Sequence, residues 1–143
     1  MKHLTTTVAL GLGSNIGDRT TFLRQAVAAI RSDHILKHVR CSSLYQSEAL
    51  LKADAPDAWN QPFLNMAIVG ETSLPPEALL TALQRIEQAL GKRKRGIWAP
   101  REIDIDILLY GKERIALPHL TVPHPGVPDR AFVLVPLAEI ARD

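Results

Sequence analysis

Apolar residues crowd Thr6 to Leu12, and the run ends in Gly11-Leu12-Gly13-Ser14-Asn15, which predicts a first strand with a Gly-rich close. Asp18 stands where an N-cap belongs, ahead of Phe22, Leu23, Ala26, Val27 and Ile30 at helical spacing. That helix is expected to stop at Ser32-Asp33. Lys37 to Tyr45 alternates as a second strand, and Phe63 to Thr72 reads as a third. Between them Gln46 to Pro62, interrupted by Pro56 and Pro62, has no period; a stretch of that length is more often functional than a plain connection. Pro75-Pro76-Glu77 opens a second helix whose face is Leu79, Leu80, Leu83, Ile86, Glu87 and Leu90, with Gly91 past its end. After a basic run, apolar alternation returns at Ile103 and continues to Tyr110. A proline-rich passage, Leu117 to Pro128, precedes a final apolar piece, Ala131 to Ile140, expected as a short helix.

The predicted order is β-α-β-β-α-β, the ferredoxin-like α+β arrangement: a four-stranded antiparallel sheet, both helices on one face, loops and ligands on the other. That frame hosts many unrelated chemistries, so function has to come from the site. The 143 residues suit one domain, 1–143, without internal repeat or linker. A hydrophobic share of 46% with 22% charged residues belongs to a globular chain rather than a disordered one. No apolar run nears the ~20 residues a bilayer span needs. Val8-Ala9-Leu10 is too short for a signal-peptide core. Cys41 is the single cysteine, so no disulfide forms within the sequence, and its apolar surroundings suggest a buried structural thiol. A cytoplasmic protein is expected. The net charge of +2 is too mild to indicate nucleic acid or membrane.

The strand from Ile103 carries the chemistry. Alternation sends Ile103, Ile105, Ile107 and Leu109 to one face and Asp104 and Asp106 to the other. Two carboxylates ~7 Å apart at their Cα atoms repel each other unless a cation lies between them. One or two carboxylates plus substrate phosphates are the usual way Mg²⁺ is held. The other reading is an Asp pair on a solvated face, neutralised by nearby arginines. Lys92-Arg93-Lys94-Arg95, with Arg101 beyond, is a solvated loop or a grip on those phosphates. His124 and Arg130 frame a rigid loop and suit phosphate oxygens, although each taken alone is more often a surface or capping residue. The Gly-rich turn offers a phosphate cradle at a helix N-terminus, without the spacing of a nucleotide fingerprint. Tyr45, Phe63 and Trp98 with Asn65 could sandwich a flat heterocycle, core packing being the alternative for Tyr45. Glu87 lies among the helix-face residues, as a site residue or a paired glutamate.

Taken together, Gly11 to Arg19, Phe63-Leu64-Asn65, Pro100 to Gly111, Leu120 to His124 and Arg130-Ala131-Phe132 resemble the 6-hydroxymethyl-7,8-dihydropterin pyrophosphokinase family of folate biosynthesis. The match runs from near Thr7 to Ile140 with the motifs in order. The resemblance implies transfer of pyrophosphate from ATP to the pterin hydroxymethyl group with release of AMP. Asp104 and Asp106 would bind two Mg²⁺ ions on the ATP phosphates, with Asp104 also near the pterin. Lys92, Arg93, Arg101, His124 and Arg130 would meet the phosphates; Gln84, Ile107 and Thr121 would lie by the nucleotide, and Glu87 near its ribose. Asn65 would hydrogen-bond the pterin, Phe63 and Phe132 would stack on it, Ser47 and Leu50 would line its pocket, and Trp98 would close over it. The catalytic set would be Trp98, Arg101, Asp104 and Asp106, in a monomer. Where the family usually carries arginine after the glycine ending the second helix, this chain has Lys92. A relative that binds nucleotide or pterin without turnover would share these motifs. An RNA-binding module of the same frame would place aromatics on the sheet strands, and an exposed Asp pair would repel its ligand.

Overall fold

The computed structural model describes residues 4–47, 62–92, 102–124 and 131–140, and of 131–135 the backbone alone. The elements are β1 (Thr6–Ser14), α1 (Arg19–Ser32), β2 (Lys37–Cys41), β3 (Tyr45–Ser47), β4 (Phe63–Thr72), α2 (Pro76–Ala89), β5 (Asp104–Tyr110), β6 (Ile115–Leu117), β7 (Leu120–Val122) and α3 (Ala131–Ile140). The five-stranded sheet runs β2-β4-β1-β5, with β3 also on β4 and every pairing antiparallel.

Local chemistry sets the helix ends. Asp18 caps α1, its Oδ1 accepting from Thr21 N at 3.1 Å. Pro76 fills the first turn of α2, where its missing N–H costs nothing. Gly91, at φ +94°, closes that helix: its N–H donates to Gln88 O and the Lys92 N–H to Glu87 O, both at 3.0 Å. That pair of bonds is a Schellman motif, and it fixes where Lys92 leaves the helix.

Alternation along β1 divides the molecule into layers. Val8, Leu10 and Leu12 face α1 and α2, where Leu23, Ala26, Ile30, Leu79, Leu83 and Ile86 complete the main core. Ala9 faces the other way and packs with Ala67, Val69, Leu108, Leu137 and Ile140, a second core under α3. The face expected to carry loops is therefore partly roofed by a helix. No helix among the described residues is long and apolar enough to cross a membrane.

Three expectations change. The second strand is broken into β2 and β3, which raises the strand count from four to five. Ser42 takes over there: its N–H donates to Ala67 O at 2.9 Å, and its Oγ accepts from Ala67 N at 2.8 Å in place of a ladder carbonyl. In β5 the register on β1 shifts between Ala9 and Leu10, whose partners are Leu109 and Ile107, so Leu108 is an extra residue. Such a bulge reverses the alternation beyond it. Leu109 packs with the α3-side core and not with Ile107, and Tyr110 takes the helix-side place. Finally, a hairpin, β6 on β7, turns at Pro118-His119 and takes up the start of the proline-rich passage.

Candidate active site

The site lies on the sheet face opposite α1 and α2, where residues from different strands fall into rows. Tyr45, Asn65, Gly13 and Asp104 stand abreast on β3, β4, β1 and β5; Ala67, Gly11 and Asp106 form the next row. With strands about 4.8 Å apart, Asn65 and Asp104 face each other across roughly 10 Å. Gly13 lies between them. A Cβ there would come 3.1 Å from Asn65 Oδ1 and 3.2 Å from Phe63 Cδ1. The glycines expected as a phosphate cradle are strand residues, and α1 begins five positions after Ser14, at Arg19. They lie between two polar banks, with Asn65 and Phe63 packed over the buried Gly13 and Leu108 packed over Gly11.

One bank is Asn65 and Ser47. Asn65 is 6% exposed, and its Nδ2 donates to Ser47 Oγ at 2.7 Å and to Tyr45 O at 3.5 Å. Phe63 is half-buried beside them. Tyr45, weighed as a stacking aromatic, instead directs its hydroxyl to Glu139 of α3.

The other bank is the Asp pair. Asp104 Oδ1 lies 2.9 Å from Lys92 Nζ, which also lies 3.0 Å from Glu87 Oε2. The same Glu87 oxygen accepts from Ile105 N at 2.8 Å, so the carboxylate ties α2 to β5. Burial pushes the Glu87 carboxyl above its usual range, against the opposing pull of the Ile105 N–H and Lys92. Burial works against the Lys92 ammonium as well, but Asp104 and Glu87 together hold it above its ordinary value. The family resemblance sends Glu87 to a ribose and Lys92 to phosphates; in this structure the two are engaged with each other and with Asp104. Asp106 Oδ2 lies 3.8 Å from His124 Nε2. Leu108, the extra residue of the bulge, accepts at its main-chain oxygen from His124 N at 3.0 Å, which holds His124 beside β5.

Among the described residues no group of three or more His, Cys, Asp or Glu side chains converges on a metal position. Two carboxylates on one accessible face still fit Mg²⁺, which takes few protein ligands and completes its octahedron with phosphate oxygens and water. Both Asp side chains are already next to groups that can bear positive charge, Lys92 and His124. Of the remaining candidates, Gln84 is exposed on α2 one turn before Glu87, and Thr121 is exposed on β7. Ile107 is 3% exposed, its side chain in the helix-side core rather than on the Asp face. Leu50, Arg93, Trp98, Arg101 and Arg130 lie outside the described residues, and Phe132 falls in α3 where only the backbone is described. Sequence reasoning missed Glu139; its signal was being the sole charge in Ala131–Ile140.

The profile of the 7,8-dihydro-6-hydroxymethylpterin-pyrophosphokinase (HPPK) family matches residues 9–142. The chain belongs to the HPPK family. It is 44% identical over 133 residues to a Bacillus subtilis 2-amino-4-hydroxy-6-hydroxymethyldihydropteridine pyrophosphokinase, covering 93% of this chain and 77% of that one. An Aquifex aeolicus protein of the same name is 41% identical over 138 residues, covering 94% and 79%. A Chlamydia trachomatis folate synthesis bifunctional protein is 37% identical over 135 residues; the match takes in 93% of this chain but only 30% of that longer protein. The HPPK fold is matched by the solved Plasmodium falciparum HPPK-DHPS with pteroate, at TM-score 0.67 and 14% identity, over 97% of this chain and 41% of that one.

Proposed function

We infer that this chain transfers pyrophosphate from ATP to 6-hydroxymethyl-7,8-dihydropterin, giving the pterin diphosphate and AMP, as a diphosphotransferase of folate biosynthesis. The observation that carries the reading is the sheet row that sets Asn65 and Ser47 on one bank across from Asp104 and Asp106 on the other. The pterin is assigned to the Asn65 bank, its edge read by that amide and its hydroxymethyl group directed to the Asp side. The sheet order supports a ferredoxin-like βαββαβ frame when β2 and β3 are taken as one strand interrupted at Ser42.

The roles follow from charge and position. Asp104 and Asp106 would hold two Mg²⁺ ions, whose chemistry is to orient the triphosphate and offset its charge. His124, Arg101 and Arg130 grip phosphate oxygens, with Lys92 and Arg93 at the start of the basic run. Gln84, Glu87 and Thr121 line the nucleotide side, where Ile107 has only its main chain to offer. Phe63 and Phe132 stack on the pterin, Leu50 lines its pocket, and Trp98 covers it. The pterin hydroxyl releases its proton to solvent as its oxygen attacks the β-phosphorus, the bond from that phosphorus to the bridging oxygen of the α-phosphate breaks, and AMP leaves with that oxygen. Transfer of this kind asks the protein for positioning and charge stabilisation rather than a side-chain nucleophile. We read the protein as a cytoplasmic monomer acting on these two small molecules without nucleic acid or membrane.

The test is AMP release from ATP, Mg²⁺ and the dihydropterin. Asp104→Asn and Asp106→Asn should each lower turnover by about a thousandfold or more, the several-kcal/mol scale of metal charge stabilisation, with the circular dichroism spectrum unchanged. Near-normal Mg²⁺-dependent activity in both variants rejects the metal assignment. Pterin or nucleotide binding without any turnover would mark a catalytically impaired relative.

A further inference from the structure

We propose that Glu139 and Tyr45 form a latch that sets the pterin bank of the site, with Glu139 a positioning residue for Ser47 and Asn65. The inference rests on the functional reading above. Glu139 takes no part in either core, and its side chain is exposed on α3. Its carboxylate nevertheless collects three donors from one segment: Ser43 N at 2.9 Å, Ser43 Oγ at 3.1 Å and the Tyr45 hydroxyl. Hydrogen bonds to an ionised acceptor are the stronger kind.

What this segment holds gives the latch its purpose. β3 is three residues long, and β4 is its strand partner. So short a strand has little ladder of its own to fix its position. Ser42 anchors its entry through Ala67, and Glu139 holds Ser43 and Tyr45. From Tyr45 the bonding continues into the site. Tyr45 is the cross-strand partner of Asn65, Tyr45 O accepts from Asn65 Nδ2 at 3.5 Å, and Ser47 Oγ accepts from the same nitrogen at 2.7 Å. Glu139, Tyr45, Asn65 and Ser47 thus form one connected series from the roofing helix to the residues assigned to the pterin. If the latch opens, the amide keeps its place on β4 while Ser47 and the main-chain oxygen that orient it shift. Pterin affinity should suffer, and the Asp bank on β5 should not.

Tyr45→Phe removes only the hydroxyl, and Glu139→Gln keeps an acceptor for Ser43 while losing the charge. Each should raise the pterin KM, and the Kd for pterin alone by titration calorimetry, by about 3- to 10-fold, the span one hydrogen bond's net contribution covers. The ATP KM and kcat should stay within about twofold, since no phosphate contact changes. The double variant should be little worse than the worse single one, because both break the same bond. A fall in Tm with pterin Kd unchanged would reduce the latch to a structural tie and overturn the proposal. Equal rises in both KM values would do the same. If wild-type protein neither binds nor turns over pterin, the functional reading falls and this inference falls with it.

Discussion

Lys92 lies within 3.0 Å of both Glu87 and Asp104, one ammonium between two carboxylates. Glu87 is 7% exposed, and without the ammonium it would be a poorly solvated carboxylate beside a second one. Lys92→Met should therefore lower the unfolding free energy by about 2–4 kcal/mol in urea titrations, while Lys92→Arg keeps most of it. Gly13 makes the opposite kind of contribution, through what it lacks. Gly13→Ala puts a methyl 3.1 Å from Asn65 Oδ1 and 3.2 Å from Phe63, so the pterin KM should rise about tenfold or more with a much smaller loss of stability. At this scale the Asp pair was legible because period-two alternation needs only the strand's identity. Leu109 was not, because the bulge at Leu108 reverses the period and leaves no mark in composition. Lys92 was legible as a cation; its partner choice comes from the turn at Gly91, which brings it back onto Glu87.

Elements with caps were read within a residue or two: α1 behind Asp18, and α2 between its prolines and Gly91. The strand break at Ser42 was hidden because a side-chain oxygen replaces a backbone acceptor, and the β6-β7 hairpin because three-residue strands are too short to show a period. The tie between α3 and the β2-β3 segment depends on an ionised Glu139. Its bond from Tyr45, and then those from Ser43, hold that carboxyl below its usual range. A depressed acid contributes stability above its ordinary value, about 4.3, and loses it as pH falls through the lower folded value. The stability gap between wild type and Glu139→Gln, followed by thermal unfolding, should be constant near neutrality and shrink as pH drops below about 4. A gap that widens on acidification would contradict the assignment.

Among the described residues one large core and one small one are divided by the sheet. The small one depends on Leu137 and Ile140 of α3 against Ala9, Ala67, Val69 and Leu108. Leu137→Ala should remove about 2–4 kcal/mol and act mostly locally: hydrogen exchange should quicken in α3 and β3 while α1, α2 and β1 stay protected. Uniform loss of protection would mean that the two cores open together. The sheet that divides them was legible as an antiparallel one in an α+β chain, because the strand and helix periods alternate along the sequence; the roof over its second face was not, because a uniformly apolar run names no partner. Gly13 has a consequence for inhibition. It is buried, with Asn65 and Phe63 packed over the place a side chain would fill, so an inhibitor seated on that bank would rest on side chains whose posture depends on a residue that has none. A larger residue at Gly13 that dislodged such a compound would displace Asn65 as well. Resistance at that position should therefore carry its own loss of fitness.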